Sequence, residues 1–109
     1  MLVVEDDPAI RLLCRVNLEL EGFRVREAAS VGSGRAAVAE ERPALVFLDV
    51  HLGGTSSEGL LDELRGEGIP VVLVSGSADV EDYRDRATEV LGKPFDPAAL
   101  VAAARRHVG

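Results

Sequence analysis

Short apolar runs recur along the chain, with polar residues and stretches of helical spacing between them. Residues 1–4, 44–48 and 71–74 are apolar throughout, which is typical of strands buried on both faces. Residues 23–27 alternate apolar and charged side chains, and residues 89–91 form a brief last run. The pattern therefore predicts five strands, of which the second lies nearer an edge.

Helical spacing follows the first strand. Asp7 is a favourable N-cap, Pro8 is a favourable first helical residue, and Gly22 ends the segment. The side chains at core spacing in this helix are Ile10, Leu13, Cys14 and Leu18. Further helices are predicted at 31–41, 59–65, about 80–86 and 97–108, and residues 53–57 are predicted to form a loop.

The alternation of strand and helix, repeated five times, indicates an α/β domain. Such units form a parallel sheet, and we expect a single doubly wound sheet with helices on both faces. No linker, internal repeat or low-complexity tract divides the sequence. Residues 1–109 are therefore predicted to form one domain.

Composition and charge exclude several classes of protein. A net charge of −7 argues against a surface for nucleic acid or for an anionic membrane, because such surfaces carry basic patches. No apolar run approaches the ~20 residues that a spanning helix needs, and we expect no signal peptide. The single cysteine, Cys14, excludes a disulfide framework and favours a cytoplasmic location.

Polar side chains that could bind a ligand or take part in a reaction follow the predicted strands. These residues are Glu5 and Asp6 after the first strand, Asp49 after the third, Ser75 after the fourth and Lys93 after the fifth. Lys93 is the only lysine in the sequence. In open α/β sheets, ligands bind outside the carboxyl ends of the strands. We therefore expect these side chains to meet at one edge of the sheet.

Three carboxylates in one cleft repel one another unless cations neutralise them. Lys93 supplies one positive charge, and Mg²⁺, which takes oxygen ligands, would supply the rest. A metal ion and an ammonium group beside a carboxylate are what phosphoryl transfer requires. Asp49 follows the most apolar strand and is the best candidate for a nucleophile that becomes an aspartyl phosphate. The alternative is that Glu5 and Asp6 are solvated acids of a turn.

Four segments carry a family resemblance, namely "LVVEDDP", "LVFLDVHLGG", "VVLVSGS" and "LGKPF", in that order. They resemble the CheY-like receiver domain of two-component response regulators over essentially the whole chain. The resemblance implies a flavodoxin-like strand order of 2-1-3-4-5. It also implies that Asp49 accepts a phosphoryl group from a phosphohistidine on a sensor histidine kinase or a histidine phosphotransfer protein.

The resemblance also implies roles for single residues. As Mg²⁺ ligands it implies Asp6 directly, Glu5 through water, a carboxylate oxygen of Asp49 and the backbone carbonyl of His51. Ser75 and Lys93 would bond the phosphoryl group, and the Lys93–Pro94 peptide bond would be cis. The chain would be a signalling module that catalyses only its own phosphorylation and dephosphorylation, rather than an enzyme acting on a separate substrate.

The chain departs from the common family pattern in three places. Val90 stands where many members carry a tyrosine or phenylalanine that moves inward on activation. Only eighteen positions separate Ser75 from Lys93, so the fourth helix is predicted to be short or irregular. The loop after Asp49 is longer than usual and lacks the usual proline. The side chain of His51 in this loop is a candidate for influencing dephosphorylation.

Two other functions remain open at this point. One is a receiver-like interaction domain that acts without phosphorylation. The other is a phosphatase, which usually needs a second acid two residues after the nucleophile, where this chain has His51. Leu12, Val16 and Leu20 lie off the core stripe of the first helix. They either pack at its flanks or form a docking face for a kinase or phosphotransfer helix, and an output domain or partner is expected outside this chain.

Overall fold

The computed structural model describes residues 1–52, 55–76 and 85–108. The strands in these ranges are β1 (Leu2–Val4), β2 (Arg26–Ala28), β3 (Val46–Asp49), β4 (His51–Leu52), β5 (Thr55–Ser56), β6 (Val71–Ser75) and β7 (Glu89–Gly92). The helices are α1 (Pro8–Leu20), α2 (Val31–Glu40), α3 (Glu58–Gly66) and α4 (Pro97–Val108). The predicted alternation of strands and helices is confirmed for these residues.

Five strands form one parallel sheet in the order β2-β1-β3-β6-β7. When β4 and β5 are left out and the five strands of this sheet are numbered in chain order, the order is 2-1-3-4-5. This confirms the predicted doubly wound topology. The order changes direction beside β1 and β3, whose last paired residues are Val4 and Leu48. The carboxyl ends of these two strands therefore lie side by side at the switch point, where α/β folds bind ligands.

Helices cover both faces of the sheet. On one face, Leu60, Leu61 and Leu64 of α3 share a buried cluster with the even-numbered residues of β1, and α2 packs against it. On the other face, α1 and α4 contribute Cys14, Leu18, Leu100, Ala103 and Ala104 to a second cluster. Because successive strand residues point to opposite faces, this double cover explains why the central strands are apolar throughout.

The ends of α1 follow from local chemistry. The Asp7 carboxylate accepts hydrogen bonds from the backbone N–H groups of Ala9 at 2.9 Å and Ile10 at 3.4 Å, which confirms the predicted N-cap. Gly22 has a φ of +91°, a conformation that glycine adopts without steric cost. The predicted inward position of Leu13 is wrong, because its side chain is 40% exposed.

Two other predicted elements differ from the structure, and a third falls largely outside the described residues. The second strand begins later than predicted, since β2 covers Arg26–Ala28 rather than residues 23–27. The predicted loop at 53–57 contains β5, which pairs with β4 in an antiparallel hairpin. The third is the helix predicted at about 80–86, which is expected to be short or irregular. Most of it lies outside the described residues, and its last two residues, 85 and 86, form a 3₁₀ turn.

None of the helices in the described part of the chain combines the length and the apolar character that crossing a bilayer requires.

Candidate functional site

The carboxyl ends of β1, β3, β6 and β7 converge on one edge of the sheet. The predicted residues stand at these ends: Glu5 directly after β1, Asp49 as the last residue of β3, Ser75 as the last residue of β6, and Lys93 directly after β7. Glu5, Asp49 and Ser75 are buried, whereas Asp6 is exposed. The parallel topology thus delivers polar groups from four separate strands to one place.

Lys93 joins the two buried acids. Its Nζ atom donates to Glu5 Oε1 at 2.7 Å and to Asp49 Oδ2 at 3.1 Å. The backbone N–H of Lys93 donates to the carbonyl of Ser75 at 2.8 Å, which extends the ladder between β6 and β7 by one bond. The Lys93–Pro94 peptide bond is cis, as the resemblance implies. The predicted meeting of ammonium group and carboxylates is therefore present.

Burial and charge set the protonation of the cluster. Burial, followed by the hydrogen bond with Asp49, raises the pKa of Glu5 to about 7, against the lowering effect of Lys93. Burial tends to lower the pKa of the Lys93 amine, but the hydrogen bonds to Glu5 and Asp49 outweigh it, and the pKa is raised overall. The lysine is therefore a permanent cation near neutral pH, while Glu5 is close to its titration midpoint.

The acidic residues fit a hard divalent cation. One carboxylate oxygen each from Glu5, Asp6 and Asp49 lies within 4.8 Å of the others. Oxygen donors with net negative charge are what Mg²⁺ prefers, and the exposure of Asp6 leaves room for the water molecules that Mg²⁺ retains. The donor set therefore suits Mg²⁺ better than a thiolate- or imidazole-binding metal.

His51 and Ser57 complete the surroundings of Asp49. The backbone N–H of His51 donates to Asp49 Oδ1 at 3.2 Å, and the residue itself is exposed. The Ser57 hydroxyl donates to the carbonyl oxygen of Asp49 at 2.7 Å. Sequence reasoning missed Ser57 because a serine in a predicted loop before a helix indicates a cap rather than a contact with the site.

The comparisons with known proteins agree with this geometry. The family profile described as "Response regulator receiver domain" matches residues 1–105. The nitrogen assimilation regulatory protein NtrX of Azorhizobium caulinodans is 35% identical over 97% of this chain and 25% of its own length. The DNA-binding response regulator MtrA of Mycolicibacterium smegmatis is 35% identical over 99% of this chain and 50% of its own length.

Solved structures are also similar. The receiver domain of NtrX from Brucella abortus has a TM-score of 0.90 at 35% identity, covering 98% of this chain and 96% of that one. A CheY-like receiver domain protein from Methanospirillum hungatei has a TM-score of 0.90 at 28% identity, covering 98% and 90%.

The chain spans between a quarter and a half of the two curated relatives above, but nearly all of the isolated NtrX receiver domain. Both the profile match and the 35% identity extend over almost the full length of this chain. The chain therefore belongs to the response regulator receiver domain family of two-component signalling.

Proposed function

We propose that residues 1–109 act as one receiver domain that accepts a phosphoryl group on Asp49. The donor would be a phosphohistidine on a sensor histidine kinase or a histidine phosphotransfer protein. The observation that carries the proposal is the position of the Lys93 ammonium group, 2.7 Å from Glu5 and 3.1 Å from Asp49. A buried carboxylate held beside a cation at a sheet switch point is a nucleophile whose reaction with an anionic donor is electrostatically favoured.

The proposed transfer is a nucleophilic displacement at phosphorus. A carboxylate oxygen of Asp49 attacks the phosphorus atom, and a new O–P bond forms as the P–N bond of the phosphohistidine breaks. The electron pair of the broken bond remains on the imidazole nitrogen, which can take up a proton from solvent. Hydrolysis reverses the modification, because a water oxygen bonds to phosphorus, the O–P bond to Asp49 breaks, and inorganic phosphate leaves.

Other residues at the edge would bind the transferred group. The Lys93 ammonium group would exchange its contact with Asp49 for one with a phosphoryl oxygen, and the Ser75 hydroxyl would donate to another. The residues that would hold Mg²⁺ are Asp6, Asp49 and the His51 carbonyl directly, and Glu5 through water. When bound, Mg²⁺ would neutralise negative charge that spreads over the transferring group.

The chemistry would be confined to the chain's own aspartate. Phosphorylation adds negative charge at Asp49 and would draw Ser75 and Lys93 toward it, so that the loops after β3 and β6 repack. The output would be altered binding to an output domain or partner protein outside this chain. The domain would thus act as a switch, and not as a catalyst for a separate substrate.

The direct test is intact-mass measurement after incubation with Mg²⁺ and acetyl phosphate. The wild type should gain the mass of one phosphoryl group, and Asp49→Asn should gain none. Asp85→Asn, which changes an exposed carboxylate that is not in the acidic cluster, is the matched control and should behave as the wild type. An unmodified wild type would instead support a receiver-like interaction domain that acts without phosphorylation.

The exposed apolar side chains of α1 support a docking role. Leu12, Val16 and Leu20 are 49%, 41% and 78% exposed, and Leu13 adds to them. The interpretation that Leu12, Val16 and Leu20 pack at the helix flanks does not account for this exposure. We infer that this face of α1 receives the kinase or phosphotransfer helix, because four large apolar side chains on one surface helix are typical of an interaction site.

A charge placed on this face tests the docking role. Leu12→Glu should slow phosphorylation by a phosphohistidine donor protein and leave phosphorylation by acetyl phosphate unchanged, because only the protein donor needs the surface. Ala36→Glu adds the same charge at an exposed position on α2 and should leave both rates unchanged. Equal rates of phosphotransfer to Leu12→Glu and the wild type would refute the docking role.

A further inference from the structure

Ser57 occupies an unusual position for its residue type. It is the N-cap of α3, yet its side chain makes no capping hydrogen bond. Serine is favoured at N-caps because its hydroxyl oxygen accepts from a backbone N–H of the first turn. The side chain of Ser57 is directed elsewhere, and the residue is only 2% exposed. A buried hydroxyl that does not cap its helix must satisfy its hydrogen bonding with another partner.

The partners of the Ser57 hydroxyl are backbone carbonyls at the end of β3. The Oγ atom lies 2.7 Å from the carbonyl oxygen of Asp49 and 2.9 Å from that of Val50. The backbone N–H of Ser57 already donates to the Val50 carbonyl at 3.0 Å. Since a hydroxyl has one proton to donate, the shorter contact assigns it mainly to Asp49. Ser57 thus ties the end of the β4–β5 hairpin to the backbone of the acceptor aspartate.

The Ser57 hydrogen bond lies at the end of β3, where the chain makes few further hydrogen bonds to the sheet. Asp49 is the last residue of β3, and Val50 makes one further bond to the neighbouring strand, from its N–H to the Val74 carbonyl at 3.2 Å. Beyond that bond, the chain turns into the hairpin. The peptide units on either side of Val50 also orient the His51 N–H, which donates to Asp49 Oδ1. A rotation of these units would move the carboxylate and the His51 carbonyl together.

We propose that Ser57 is a positioning residue for the phosphoacceptor. Its hydroxyl fixes the peptide units after Asp49, so that the carboxylate stays aligned with Lys93 and with the N–H of His51. This rests on the proposed function, since it deepens the account of the same reaction. Reactions at a positioned nucleophile lose rate steeply when the nucleophile is displaced by a fraction of an ångström to an ångström.

The test compares four proteins well below their unfolding midpoints: the wild type, Ser57→Ala, Ser57→Thr and Ser56→Ala. Ser57→Ala removes the hydroxyl, and Ser57→Thr retains it. Ser56→Ala removes an exposed hydroxyl one residue away, which accepts from the Glu58 N–H at 3.3 Å. The readouts are the phosphorylation rate with acetyl phosphate and saturating Mg²⁺, and the ¹⁵N–¹H shift of the His51 amide without metal.

We expect Ser57→Ala to be phosphorylated about tenfold more slowly than the wild type and to show a shifted His51 amide. Ser57→Thr should restore the rate and the shift, and Ser56→Ala should change neither. A wild-type rate in Ser57→Ala, or an equal loss in Ser57→Ala and Ser57→Thr, would overturn the positioning role while leaving the proposed function intact. A wild type that takes no phosphoryl group at all would instead overturn the proposed function, and the positioning role with it.

Discussion

Replacing Lys93 with methionine should destabilise the metal-free protein by an amount that grows with pH. The substitution keeps an unbranched apolar stem and removes the ammonium group that bonds Glu5 and Asp49. Two carboxylates whose side chains are 4% and 10% exposed then face each other without that cation. Breaking a fully buried ion pair costs about 3–5 kcal/mol. Because the Lys93 side chain is 21% exposed, we expect about 2–3 kcal/mol at about pH 8.

The pH dependence follows from Glu5, whose pKa is raised to about 7 from an ordinary value of 4.5. A group whose pKa is higher in the folded state contributes stability that is fully present below the unfolded value and is lost as the pH rises through the folded value. In the wild type this loss is complete shortly above pH 7. Without the ammonium group the pKa of Glu5 rises further, so the variant continues to lose about 1.4 kcal/mol per pH unit beyond that point.

Urea denaturation in the presence of a chelator measures the effect at about pH 5.5, 7 and 8.5. The difference in unfolding free energy between wild type and Lys93→Met should be about 1 kcal/mol at the lowest pH and should increase toward the highest. The same substitution in a Glu5→Gln background should give a difference that does not change with pH. A difference of the same size at all three pH values in the wild-type background would refute the reasoning that Lys93 balances the charge of Glu5.

Four further predictions concern other parts of the domain. His51→Ala should lengthen the half-life of the phosphorylated domain several-fold, measured by intact mass over time, because an exposed imidazole two residues after Asp49 would promote attack by water; an unchanged half-life would contradict a role for its side chain. Burial raises the pKa of the Cys14 thiol to about 11, so a thiol-specific reagent at about pH 8 should label the folded protein far more slowly than the unfolded one. Gly32→Ala should raise the midpoint of thermal unfolding, since an added Cβ meets nothing within 4 Å; the gain should be below the about 1 kcal/mol of a helix interior, because Gly32 lies in the first turn of α2. Gly34→Val should destabilise it in the same thermal unfolding assay, because even a first carbon atom there would lie 3.3 Å from Val4 and Leu60.

The fold and the charged residues of the site could be predicted from the sequence because both depend on features visible in short segments, namely wholly apolar strands and the polar residues at their ends. Three wholly apolar strands required cover on both faces, and this requirement led to the doubly wound sheet. The residues at the strand ends then had to meet, since parallel strands point their carboxyl ends to one edge. Glu5, Asp49 and Lys93 follow from these two steps, even though Lys93 is 88 and 44 residues distant from its partners.

The apolar faces of α1 could not be distinguished in the same way. Apolar residues cover most of this helix outside the charged stripe of Arg11, Arg15 and Glu19, so helical periodicity alone does not determine which of them face the sheet. Cys14 and Leu18 are buried, whereas Leu13, which has the same spacing as the core stripe, is exposed. The packing of α1 against the sheet and α4, which the sequence pattern does not reveal, separates the two groups.

The short hairpin after β3 could not be predicted either. Its strands, His51–Leu52 and Thr55–Ser56, have two residues each, which is too few for an alternating pattern to be visible. Its effect on the site is nevertheless direct, because it returns the chain to Asp49 and brings Ser57 under the end of β3. Local sequence signals are therefore weakest in the segment nearest to the carboxylate of Asp49.

Lys93 and Ser57 differ in what determines their partners. Lys93 reaches Asp49 because β6 alone lies between β3 and β7, so the sheet order brings the two residues together. Ser57 is the N-cap of α3, but its hydroxyl bonds the carbonyls of Asp49 and Val50 instead of the N–H groups of the helix. The charges at the site thus follow from the fold, whereas the proposed role of Ser57 makes the orientation of the Asp49 carboxylate depend on the loop. Changes that remove the contact of the Ser57 hydroxyl should accordingly alter the rate of phosphorylation without altering the fold or the set of charged residues at the sheet edge.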